Sequence, residues 1–94
     1  MTEEREIEEE KSTLRFMLNE TIGGMQLEFT IPDVEKGARL NGENLSRLQA
    51  DKTLDRLCRK GKLKRRGNKK PLFSILKLYK IIKDNIGDIE KFIE

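Results

Sequence analysis

Apolar positions divide the chain into segments of different period. Leu14, Met17 and Leu18, with Ile7 upstream, lie near one face of a helix. Thr2 is a candidate N-cap, and Glu3, Glu4 and Glu6 suit the positive end of that helix's dipole. The apolar spacing holds only from about Lys11, so the acidic start is expected to fray; Gly23-Gly24 ends the helix. Met25 to Thr30 alternates apolar and polar, the period of a half-buried strand too short to stand without a partner. Thr30-Ile31-Pro32-Asp33 opens a second, short helix, with Thr30 as cap and Pro32 in the first turn, where its missing N–H costs little. Val34 and Ala38 share a face of it, and Gly37 costs up to ~1 kcal/mol relative to Ala. Leu40-Asn41-Gly42 ends it.

Ser46-Arg47-Leu48-Gln49 is a capping-box pattern, with Leu45 placed to staple onto Ala50. The third helix runs to Lys60 and stops at Gly61. Ala50, Leu54, Leu57 and Cys58 form its apolar stripe. Gln49, Lys52, Arg56 and Arg59 fall on the opposite side within an arc of about 80°. Lys62 to Arg66, Gly67 to Pro71 and Leu72 to Ile75 read as a β-hairpin with a basic tip, its second strand the natural partner for Gln26 to Phe29. Finally Ile75, Tyr79, Ile82, Ile86, Ile89 and Ile93 follow a heptad spacing, with Leu78, Ile81 and Phe92 beside it. This predicts a helix over 77–94 that packs on its own domain or pairs with a second chain; we expect the pairing. The expected fold is α+β and mostly helical, with one domain over 1–76 (1–10 acidic) followed by the 77–94 helix.

Composition sharpens this picture. The chain has 94 residues, 35% hydrophobic and 39% charged, so its core is thin and a partner chain is a natural source of further burial. It has no His and one Cys, which removes His-based zinc sites and His-dependent nucleophilic catalysis, so we expect no enzyme. No metal cluster, cofactor or small-molecule ligand is evident. The apolar runs are shorter than the ~18 residues of a membrane span, and six Glu in the first ten residues do not fit a secretory signal. With a lone Cys, the expected location is cytoplasmic and nucleoid-associated. Twelve Lys and nine Ile against two Gln is a balance associated with heat-adapted proteins. Charge is segregated: residues 47–70 hold eleven Lys or Arg against Asp51 and Asp55. Such asymmetry points to a polyanion partner, or to an acidic arm that shields a basic face.

The segment from Ala50 to Leu63 contains L-x-x-L-x-x-x-G-x-L at Leu54, Leu57, Gly61 and Leu63. With the element order, it resembles the winged helix-turn-helix family of DNA-binding domains. The resemblance implies a recognition helix over Arg47–Lys60 and a wing over Gly61–Ile75. Arg, Lys and Gln are the side chains that bond base edges in the major groove, so Lys52 and Arg56 are candidates for guanine and Gln49 for adenine. Arg47 and Arg59 complete the candidate helix contacts. Asp51 or Asp55 would accept from cytosine or reject a misplaced phosphate. Lys62, Lys64, Arg65, Arg66, Lys69 and Lys70, on the wing 62–71, would follow the backbone or probe the minor groove. Five or six phosphate contacts would give a salt slope of about −5 in log K.

The expectation is a sequence-specific double-stranded DNA-binding protein, a homodimeric transcriptional regulator with its seam at Tyr79, Ile82, Ile86, Ile89 and Ile93 and a pseudo-palindromic site. Blander readings stand beside it. The basic face is only solvated, Cys58 is a small core residue rather than a redox sensor, and the acidic start is a solvated helix end rather than an autoinhibitory arm. The rival functions are a winged-helix module that binds an acidic protein surface, and, behind it, RNA binding, for which few aromatics are spare.

Overall fold

The computed structural model describes residues 2–40, 42, 44–69 and 75–94, with side chains described for 3–40, 42, 44–65 and 78–94. Its elements are α1 (Thr2–Ile22), α2 (Ile31–Leu40), α3 (Arg47–Arg59), β1 (Leu63–Lys69), β2 (Ile75–Ile81), a 3-10 turn (Lys83–Asn85) and α4 (Ile86–Ile93). The protein is therefore α+β and mostly helical, with one two-stranded antiparallel sheet among the described residues.

Local chemistry explains the helix boundaries. At α2, Thr30 N–H donates to Asp33 Oδ2 (3.0 Å) and Asp33 N–H to Thr30 Oγ1 (3.3 Å). At α3, Ser46 N–H donates to Gln49 Oε1 (2.9 Å) and Gln49 N–H to Ser46 Oγ (3.2 Å), a reciprocal box that satisfies two otherwise orphaned donors. Gly61 closes α3 at φ +79°, where a Cβ would be strained, and Lys62 N–H returns to the Leu57 carbonyl at 3.0 Å. The core joins Leu14, Met17 and Leu18 of α1 to Val34, then to Ala50, Leu54 and Leu57 of α3, and then to Leu63, Tyr79, Ile81 and Ile89. Phe29 sits among them, its ring edge-on to Phe16 with centroids 5.6 Å apart. Gly37 is a packing choice: a Cβ there would stand 2.5 Å from the Phe16 ring, so α1 and α2 approach only because it is absent.

Three expectations are corrected. The acidic start is not wholly a solvated helix end: α1 is helical from Thr2, its first residue rather than its cap, and Glu9 and Glu10 are buried. The strand over 25–30 reduces to one bridge, Phe29 to Tyr79, with N–H···O distances of 2.8 Å both ways. The chain before Phe29 is engaged elsewhere. Met25 and Gln26 N–H cap the end of α1 on the Glu20 carbonyl, and Gln26 Nε2 reaches Asp33 Oδ2 at 2.9 Å. The partner is not the expected strand over Leu72–Ile75, of which 72–74 lie outside the described residues, but Tyr79 of β2, a position expected in the C-terminal helix.

The third correction is the largest. No helix spans 77–94: β2 crosses the expected 76/77 boundary, and α4 has eight residues. From Leu78 to Ile82 the residues alternate, with Tyr79 and Ile81 buried and Lys80 exposed, and they pair with β1 as Leu63↔Ile81, Lys64↔Lys80 and Arg65↔Tyr79. The isoleucine spacing that fits a heptad is met by a strand followed by a short helix. The expected seam is spent within the chain. Tyr79 and Ile89 are fully buried, Ile86 and Ile93 pack on the core, and Ile82 is half-buried beyond β2. Arg15 Nη2 fastens the end of α4 to α1 through the Ile93 carbonyl (3.0 Å).

Candidate nucleic-acid interface

The Ser46–Gln49 capping box opens α3, whose Ala50, Thr53, Leu54 and Leu57 face inward. The remaining surface divides in two. One side lies against the acidic half of α1. There Arg56 Nε donates to Glu10 Oε2 at 2.8 Å, with Glu9 at 3.7 Å and Glu6 at 3.8 Å from its terminal nitrogens. Lys60 Nζ donates to Glu10 Oε1 at 2.7 Å. The Glu10 side chain is 1% exposed, and that of Arg56 20%. A carboxylate so far from water is tolerable only because two cations neutralise it and donate to both oxygens. Gln49 is committed as well, its Oε1 to the cap and its Nε2 to Glu9 at 3.4 Å. Arg56 and Gln49, expected to read bases, are therefore turned toward α1, because its carboxylates occupy their polar atoms.

The other side of α3 is open. It presents Arg47, Leu48 and Arg59, all exposed, with Asp51 and Asp55 half-buried between them, while the exposed Lys52 stands at its border with the α1 side, lining a shallow groove with Glu6, Glu9 and Arg56. Arg59 Nη2 meets Asp55 Oδ2 at 2.9 Å, and Arg65 Nη1 of β1 meets Asp55 Oδ1 at 3.5 Å. Arg47 lies 3.5 Å from Glu35 of α2. Lys52 has no ion pair among the described residues.

The wing cations are distributed over different surfaces. Arg65 is exposed and lies 3.5 Å from Asp55 of α3. Lys62 lies 4.7 Å from the Phe92 ring centroid, toward α4. Lys64 is exposed, in register with Lys80. Arg66 and Lys69 belong to β1, but their side chains, and Lys70 entirely, lie outside the described residues. The described cations of 47–65 thus do not form one continuous surface. Arg47, Lys52 and Arg59, with Arg65 adjoining, form one group, and Arg56 with Lys60 another.

Sequence reasoning offered an acidic arm over a basic face as one explanation of the charge segregation but did not pair Glu6, Glu9 and Glu10 with particular residues of α3. Their spacing in α1 matches Arg56 and Lys60, four apart in α3, and that complementarity was the available signal. Cys58 is half-buried; burial pushes its thiol up, partly opposed by Arg65, so it is protonated at neutral pH. Among the described residues, no group of Cys, Asp and Glu converges as a metal site, and no helix is long and apolar enough to cross a membrane. No protein family, curated protein or solved structure matches the chain.

Proposed function

We propose that the protein is a winged-helix-type regulator that binds double-stranded DNA through the open side of α3 and the adjoining hairpin. The observation that carries the reading is the Arg59–Asp55–Arg65 chain. It ties the outer edge of α3 to β1, so that helix and hairpin share one exposed border. The bridge between Phe29 and Tyr79 supports it, because it fixes the hairpin against the start of α2. Lys52, exposed at the border with α1 and without an ion pair among the described residues, is the base-reading candidate; Arg47 and Arg59 stand near the two ends of α3 and suit phosphates on either side of a groove. Arg56 serves as the anchor of α1. The reading is non-enzymatic, with a nucleoid-associated location as its consequence.

A second reading, docking onto a protein, is favoured by Leu48, which is 62% exposed on the same side, and by Asp51 and Asp55 beside it. Selection of bound duplexes from a random pool separates the two. An enriched motif that is lost in Lys52→Ala/Arg59→Ala and kept in a folded Arg56→Gln supports base readout. No enrichment with any variant removes it.

A further inference from the structure

We infer that the cleft between the 27–28 segment and the end of β2 is a binding site for a small amphipathic anion, a carboxylate or phosphate head on an apolar tail. The cleft exists because the expected strand pairing stops after one bridge. Continued from Phe29↔Tyr79, an antiparallel ladder would set Leu27 opposite Ile81, yet the two segments part there. The space between them measures about 460 Å³, within the range of roughly 300–1,000 Å³ typical of small-molecule sites. Leu27, Ile81 and Ile82 give it an apolar lining, and Leu27 is half exposed to it and to solvent.

The rim supplies the charge. Lys64 and Lys80 are directly opposed across the hairpin, and Lys83 follows on the next turn. Like charges directly opposite on a sheet repel. None of the three is in an ion pair among the described residues, although Glu28 and Asp84 share the rim. An anion seated between Lys64 and Lys80 would relieve that repulsion through charge-assisted hydrogen bonds. Thr21 also lines the cleft. The apolar lining demands a tail, which inorganic phosphate and a DNA backbone lack.

Titration calorimetry of the full chain tests this, with decanoate below its micelle concentration as the probe and decanol and inorganic phosphate as controls. Saturable binding of decanoate near one per chain is expected. Both controls, and decanoate with Lys64→Ala/Lys80→Ala, are expected to bind weaker by about tenfold or more. Those lysines are exposed, so the variant keeps its fold, which circular dichroism checks. Equal binding of decanol, equal binding of phosphate, an unchanged double variant, or no decanoate binding each overturns the proposal. No DNA enters the assay, so its outcome is independent of the DNA-binding reading.

Discussion

Arg56→Ala tests whether the acidic half of α1 is a structural partner of α3. The substitution leaves Glu10 buried with Lys60 alone at 2.7 Å, and deprives Glu9 and Glu6 of their shared cation. Removing one member of a buried pair costs about 3–5 kcal/mol. Lys60 remains in place to neutralise Glu10, so we expect less than that, about 2–3 kcal/mol, some of it lost packing of the Arg stem. For a domain whose total stability is about 5–10 kcal/mol, that is a large share. With an m-value of about 1 kcal/mol/M in urea, the midpoint falls by about 2–3 M. Lys52→Ala, at an exposed unpaired position, should stay within about 0.5 kcal/mol. Urea melts followed by circular dichroism report both. Glu10→Gln completes a double-mutant cycle, in which the coupling with Arg56→Ala should exceed about 1 kcal/mol. If Arg56→Ala shifts the midpoint no more than Lys52→Ala, while weakening duplex binding, then Arg56 stands on the open side and the account of α1 fails.

Other outcomes follow from single contacts. Gly37→Ala gains up to about 1 kcal/mol of helix propensity but drives a methyl to 2.5 Å from Phe16. Overpacking costs about 1–3 kcal/mol, so the melting temperature should fall; a rise contradicts the close approach. Tyr79 Oη is buried with no hydrogen bond of good geometry among the described residues, while the Arg65 guanidinium beside it favours the phenolate, so Tyr79→Phe should cost no more than about 1 kcal/mol, and a larger loss in a urea melt would show that Arg65 makes a full hydrogen bond to it. Burial raises the Cys58 thiol above 9.0 and the Tyr79 phenol above 10.0. The fold therefore holds protons that the unfolded chain releases, and the stability this contributes is intact below pH 9 and lost as pH climbs past those values. A melt series from pH 8 to 11 should show a decline that Cys58→Ala/Tyr79→Phe flattens, and an equally steep decline in that variant contradicts the assignment. With Tyr79 and Ile89 spent on the core, light scattering at micromolar concentration should return a single chain of 11.0 kDa, and twice that mass would require another dimer surface.

What was legible in the sequence was local. The Thr30/Asp33 and Ser46/Gln49 boxes, the Gly61 stop and the Ala50–Leu54–Leu57 stripe each depend on neighbours within a few residues, and all are present. The C-terminal strand was obscured because Ile75, Tyr79 and Ile82 fit a heptad and the run around them shows no clean alternation, so only pairing with β1 reveals the strand. The site was legible in composition but not in orientation. Half of the apparent reading face of α3 lies against Glu6, Glu9 and Glu10, some forty to fifty residues earlier in the chain, where no local pattern reaches. Gly37 looked like a weakness of α2; across the helix pair it is the space that Phe16 occupies.

Nitrogen-15 chemical-shift mapping on addition of a duplex carrying the selected motif addresses the central claim most directly. Shifts are expected along Arg47, Leu48, Lys52 and Arg59 and on the hairpin at Lys64 and Arg65, with Glu6, Glu9 and Glu10 unmoved. Shifts confined to surfaces away from α3, or none at excess duplex, would contradict it.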